Sequence, residues 1–266
     1  MRILITGCNG QLGNEMQLLE KENPQHSYFN TDVAELDITD EAAIVKFVED
    51  NEIDGIVNCA AYTAVDKAED NQELCRKLNT VAPGYLAAAV EKRGGWMIQI
   101  STDYVFDGTN HTPYTEDEPT CPNSVYGSTK LEGEQAAQKG CKRTMIIRTA
   151  WLYSTFGNNF VKTMIRLGKE KPELGVIFDQ IGTPTYARDL AVAIFAAINQ
   201  GEAKSSPARI DGLNNAIRLT DVCLIATTYR DLSISRSIID VDCVVDINTN
   251  LHHVARFDRG TRQVGG

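Results

Sequence analysis

Arg2-Ile3-Leu4-Ile5-Thr6-Gly7-Cys8-Asn9-Gly10-Gln11-Leu12-Gly13 stands at the head of the 266-residue sequence, and the fold follows from reading it. Residues 2–6 read as a strand buried on both faces, because a short apolar run without alternation leaves no side for water. Three glycines then permit a tight turn, a close backbone approach to a pyrophosphate, and close packing of helix on sheet. A helix expected over residues 11–21 would aim its free N–H groups and positive dipole end at those phosphates. The spacing is GxxGxxG rather than GxGxxG, so the weight lies in the context, a strand before and a helix after. Gly7, Gly10 and Gly13 are therefore candidate cofactor contacts.

The alternation continues outward from this segment. Residues 27–30 form a weaker expected strand ending near Asp32, which lies 19 residues past Gly13. An acid there can hydrogen-bond an adenosine ribose, and its charge favours NAD over NADP; a solvated strand-end acid is the competing reading. Thr39 can cap a helix running to residue 50. Further strands are expected at 55–58, 96–101 and 144–148, with helices over 71–92 and 122–138. Pro83 should kink the first of these helices or mark a junction. Asn58-Cys59-Ala60-Ala61 ends its strand on small side chains, which leave room for a nicotinamide at the sheet edge, although tight packing would select them too. This rhythm predicts an α/β fold: a Rossmann-like, doubly wound parallel sheet covered on both faces. We expect a dinucleotide-binding domain over residues 1–150 and a smaller C-terminal substrate lobe over 151–266, with helices near 158–169 and 186–199.

Bulk properties exclude several classes. A formal charge of −10 offers no basic face to nucleic acid. Seven cysteines, an odd number without a CxxC pair, suit buried thiols in a reducing compartment better than zinc or disulfides. Residues 3–5 are too short for a signal-peptide core, and 190–198 too short to span a bilayer, so no membrane partner and a cytoplasmic location are expected.

Tyr126-Gly127-Ser128-Thr129-Lys130 places a phenol and an amine at i and i+4, on one face of a helix. A phenol with a pKa of about 10 exchanges protons poorly at neutral pH. A neighbouring ammonium should lower that value and make Tyr126 a usable general acid. The pattern alone is common by chance. It gains force from Ser101-Thr102-Asp103-Tyr104, which ends the preceding strand where open α/β sheets bind ligands.

Glycine loop, strand-end hydroxyl and Tyr-x-x-x-Lys, in this order, resemble the extended short-chain dehydrogenase/reductases. Longer strings narrow the resemblance: Ser-Thr-Asp-Tyr-Val-Phe-Asp-Gly (101–108), Pro-Asn-Ser-Val-Tyr-Gly-Ser-Thr-Lys-Leu-Glu-Gly-Glu (122–134), Arg-Thr-Ala-Trp-Leu-Tyr (148–153), Gly-Asn-Asn-Phe-Val-Lys-Thr-Met (157–164) and Asp-Gln-Ile-Gly-Thr-Pro-Thr (179–185). Over about residues 1–200 they look like the dTDP-4-dehydrorhamnose reductase family. The resemblance implies reduction of the C4 ketone of dTDP-4-dehydro-L-rhamnose by NADPH, NADH or both, giving dTDP-L-rhamnose for cell-surface glycans. It implies Tyr126 as proton donor, Lys130 as holder of the nicotinamide ribose, and Thr102 beside the reacting oxygen. Thr102, Asp103 and Trp151 match substrate contacts. Gly10, Gln11, Leu12, Asp32, Asp37, Ile38, Ala61, Tyr62 and Thr63 match cofactor contacts. Some members form homodimers through magnesium held by helix carboxylates. Glu15 and Asp189 match two such ligands, with solvated surface acids as the competing reading.

The tail departs from the family, lacking its Ser-Trp-Tyr-Asp-Phe-like helix and later Arg-Pro segment. Residues 1–200 hold 11 Lys to 7 Arg and 16 Glu to 12 Asp, whereas residues 201–266 hold 1 Lys to 7 Arg and 1 Glu to 7 Asp. A change of reading frame near Ser205 would produce such a switch, and a divergent tail is the alternative. Either leaves the expected substrate lobe incomplete or altered. Two other functions compete. One is an epimerase or dehydratase with no net cofactor turnover. The other is a non-catalytic cofactor-binding subunit, like the regulatory subunit of methionine adenosyltransferase.

Overall fold

The structure, a computed structural model, describes residues 1–110, 114–115, 118–176, 180, 182–203 and 217–218. Strands β1 (Arg2–Thr6), β2 (Ser27–Thr31), β3 (Gly55–Asn58), β4 (Trp96–Thr102), β5 (Thr144–Thr149) and β8 (Ile217–Arg218) form one sheet in the order β2-β1-β3-β4-β5-β8. Every pairing in it is parallel. Successive side chains of a strand point to opposite faces, and β1 divides accordingly. Ile3 and Ile5 pack with Met16 of α1 (Gln11–Leu19) and with Leu190, Ile194 and Phe195 of α8 (Ala187–Ala203). Leu4 packs on the other face with Ile44 and Val48 of α2 (Glu41–Asp50) and Leu86 and Val90 of α5 (Ala82–Lys92). Each such aliphatic side chain, fully withdrawn from water, contributes about 1.5–3 kcal/mol. Helices on both faces of a parallel sheet are the doubly wound arrangement expected.

Local differences from expectation have identifiable causes. Asp40, not Thr39, caps α2: its carboxylate accepts from the Ala43 N–H, while the Thr39 hydroxyl is turned to Asp37. After the one-turn α3 (Val65–Ala68), the segment expected as helix over 71–92 is helical without a break from 72 to 92, but with a π turn (Lys77–Val81) between α4 (Gln72–Arg76) and α5. Pro83, which has no N–H to give, stands directly after the π turn, so it marks the junction with α5 and breaks no helix. The helix α6 (Val125–Gly140) begins three residues later than expected, because Ser124 caps it by accepting from the Gly127 N–H. Short strands β6 (Leu152–Tyr153) and β7 (Thr185–Tyr186) pair with each other, and α7 (Phe160–Glu170) lies between them in sequence. Among the described residues no helix is long and apolar enough to cross a membrane. The switch in composition after residue 200 falls almost wholly outside the described residues.

Candidate active site

At the carboxyl ends of β1 and β3 the strand order reverses, since β2 lies on one side of β1 and β3 on the other. Such a switch point opens a crevice. Here the cavity has a volume of about 1280 Å³, above the usual range for one small ligand. Gly7 forms its floor with φ of +65°, and a Cβ there would stand 2.8 Å from the backbone of Ala60. A Cβ on Gly13 would stand 2.4 Å from the Gly7 carbonyl, so α1 can approach the loop only without one. Gly10 begins α1 in an extended conformation with no side-chain cap. The first-turn N–H groups of α1 are thus left for a ligand, a pattern suited to phosphate.

Asp32 lines the same crevice, and its carboxylate accepts from the Asn9 N–H at 3.1 Å and the Val33 N–H at 2.8 Å. It therefore ties the end of β2 to the glycine loop besides facing the cavity. Gly7, Gly10, Gln11, Leu12, Gly13, Asp37, Ile38, Ala61 and Thr63 also line the cavity. Tyr62 does not stand among the lining residues; its side chain packs with Ala68, Cys75 and Tyr126. The Tyr62 peptide is clamped by Asn79 of the π turn, whose Oδ1 accepts from the Tyr62 N–H and whose Nδ2 donates to the Tyr62 carbonyl. This glycine cradle, uncapped helix and ribose-height acid fit a dinucleotide.

The other half of the site hangs on α6 and β4. Ser124 starts α6, and Gly127 lets it press against the turn after β4: a Cβ on Gly127 would lie 2.2 Å from the Tyr104 carbonyl. That contact sets Tyr126 beside Thr102, whose hydroxyl acts on the phenol. Thr102 also donates to Asp103 Oδ1 at 3.0 Å and accepts from the Tyr104 N–H. One turn along α6, Lys130 donates from Nζ to the Ile100 carbonyl at 2.7 Å. Tyr126, Lys130, Thr102 and Asp103 all line the crevice, at the opposite end from Asp32.

Burial corrects one expectation. The Tyr126 phenol is pushed up to about 12, chiefly by desolvation, with Asp103 acting in the same direction and Thr102 against it. Lys130 does not offset this. Burial brings its own amine down to about 8, against the opposing pull of Glu134. Both groups are protonated at neutral pH, so the pair is poised to give a proton rather than take one. Burial likewise raises the Asp103 carboxyl, against hydrogen bonds from Thr102 and the local backbone.

Trp151 reaches the crevice from a left-handed backbone position, φ +48°, which a bulky residue adopts only when its surroundings enforce it. Its indole overlies Gly182, where a Cβ would lie 2.9 Å from the ring. Glu15 and Asp189 do not suit the competing reading as solvated surface acids. Glu15 is buried and accepts from Ser154 Oγ at 2.6 Å; Asp189 is half-buried, and desolvation raises its carboxyl, with Glu15 adding to the rise. Among the described residues no group of three or more His, Cys, Asp or Glu converges as a metal site.

Sequence reasoning missed the bridge from the glycine loop to the second half. Gln11 accepts from Asn159 Nδ2 at 2.9 Å and donates to the Leu152 carbonyl. It also missed a buried ion pair behind Lys130, between Glu134 and Arg148. The i+8 position of Glu134 from Tyr126 was a usable signal for it.

The model of the RmlD substrate binding domain matches residues 1–217. A dTDP-4-dehydrorhamnose reductase of Burkholderia thailandensis is 43% identical over 191 residues, 72% of this chain and 63% of the relative. The chain thus spans less than two thirds of that relative's length. The crystal structure of a dTDP-4-dehydrorhamnose reductase from Clostridium acetobutylicum superposes with a TM-score of 0.73 at 49% identity, covering 75% of this chain and 71% of the other. One from Bacillus anthracis, in complex with NADP, gives 0.71 at 43% identity, covering 74% and 70%.

Proposed function

Because the chain belongs to the RmlD substrate binding domain family, and the relatives described above are dTDP-4-dehydrorhamnose reductases, we propose that it reduces the C4 ketone of dTDP-4-dehydro-L-rhamnose. The observation that carries this reading is that Tyr126, Lys130 and Thr102 line one crevice with the glycine cradle. A reduced nicotinamide, when bound, supplies the hydride. Tyr126 donates its proton to the nascent C4 alkoxide, and the Thr102 hydroxyl, turned from Asp103 to the substrate, holds the ketone oxygen within its reach. Lys130, fixed on the Ile100 carbonyl, supplies an ammonium for the cofactor's ribose and for recharging the phenol. Trp151 packs on the sugar, and Asp103 accepts from a sugar hydroxyl. Residues 1–150 carry the cofactor and 151–266 the substrate lobe.

NADPH is the proposed cofactor, by likeness to the relative bound to NADP. Asp32 opposes a 2′-phosphate by charge, so NADH should be accepted as well. Activity should hold while Lys130 keeps its proton and fall as pH rises through about 8; the phenol, at about 12, still carries its proton there. Mixing the chain with dTDP-4-dehydro-L-rhamnose and NADPH tests the reading. One cofactor oxidised per ketone lost is expected; interconversion of sugars without net oxidation would identify an epimerase.

A further inference from the structure

Tyr126, Lys130 and Glu134 follow one another at intervals of four along α6, so they share one helix face. The first two serve the crevice. Glu134 lies one turn deeper, only 3% exposed, and the reaction as described makes no use of it. Its carboxylate takes two hydrogen bonds from Arg148, Nε to Oε1 at 2.9 Å and Nη2 to Oε2 at 2.7 Å. Arg148 stands on β5 opposite Ser101 of β4, next to the Ile100 whose carbonyl anchors Lys130. Its guanidinium lies over the Phe106 ring at 5.2 Å, and its Nη1 is buried without a hydrogen-bond partner among the described residues.

Stability alone does not explain this arrangement. Desolvating two charges is costly, and apolar side chains of similar volume would join α6 to β5 as well or better. What an apolar pair could not supply is a carboxylate one turn along α6 from Lys130; it is the largest charge acting on that amine, and the Arg148 guanidinium, although of opposite sign, is not among the groups that shift it. We infer that Glu134 is a positioning residue for the proton-transfer pair: clamped by Arg148, it keeps buried Lys130 charged and ready for the cofactor ribose. The inference rests on the role proposed above for Lys130. The other titratable groups acting on Lys130 are the Cys75 and Cys59 thiols, from α4 and from the loop after β3, and both influence it less than Glu134 does.

The test is an NMR titration of the full chain carrying isotope-labelled lysines, with the Lys130 signal assigned by its loss in Lys130→Met. The parent midpoint should lie near 8. Glu134→Gln removes the charge and keeps a hydrogen-bonding group of the same shape, so the midpoint should fall by roughly one unit or more. The double variant Glu134→Met, Arg148→Met removes both charges at once and leaves neither buried alone. A similar fall there assigns the effect to the carboxylate rather than to an unpaired guanidinium. An unmoved midpoint in both variants, even with lowered melting temperature, would make the pair merely structural and overturn the inference. NADPH-linked ketone reduction is measured alongside. A shifted midpoint without reduction removes the proposed reaction and leaves the charge relation standing; reduction with an unmoved midpoint does the reverse.

Discussion

Tyr126 is held as a phenol by burial, and a buried phenol is a reservoir rather than a base. Tyr126→Phe should therefore lower turnover by about 10²–10⁴-fold, the usual contribution of a positioned general acid. Cofactor affinity, read by quenching of nicotinamide fluorescence, should change little, since Tyr126 is only one of many groups lining the crevice. Undiminished turnover would move the proton donor elsewhere. Asp32 governs the other end. Replacing it with Asn removes a negative charge facing the ribose, worth about 1 kcal/mol at close range in water. The ratio of NADPH to NADH affinity should then rise roughly fivefold, and a ratio that stays put would confine Asp32 to tying down Asn9 and Val33. Residue types and spacing were legible in the sequence; their protonation was not. The expected lowering of the phenol by Lys130 failed because both groups share one desolvated wall, a three-dimensional property that spacing does not encode.

At the scale of elements, the site depends on how closely α6 lies against the end of β4. Gly127 permits that approach, and Gly133 permits the matching one to the π turn, where a Cβ would stand 1.9 Å from the Asn79 carbonyl. Gly127→Ala should push α6 outward, at a cost of about 1–3 kcal/mol in chemical denaturation. Turnover should fall more than cofactor binding, because Tyr126 leaves Thr102 while the glycine loop stays in place. Glu134→Ala leaves the Arg148 charge buried alone and should cost about 3–5 kcal/mol. The strands and the order of helices could be read from apolar runs and glycine punctuation. The π turn could not, because it arises where Asn79 must serve Tyr62, Cys75 and Thr129 at once. The cap of α2 was misplaced for a related reason, since Thr39 and Asp40 are both good caps and only the local turn at Asp37 decides between them.

For the molecule as a whole, the described residues that line the cofactor half of the crevice all fall within the matched residues 1–217. On the substrate side, Trp151, Phe160 and Val176 line the crevice while 39%, 54% and 53% exposed, and α7 buries none of its residues. Apolar surface left this open contributes less to holding a sugar nucleotide than a closed wall would. The 266-residue chain should therefore bind cofactor well and turn over slowly. Rapid, saturable turnover of the purified chain would contradict that. Translating the alternative frames of its coding DNA past codon 205 should yield a rhamnose-reductase-like continuation; finding none would leave a divergent tail. The most direct test of the proton-transfer site is a single-turnover reaction of excess chain with NADPH carrying deuterium on the transferred position and dTDP-4-dehydro-L-rhamnose. Deuterium should appear at C4 of the product, one equivalent per cofactor oxidised, and the yield should collapse in Tyr126→Phe. Product without deuterium, or full yield from the variant, would contradict the assignment.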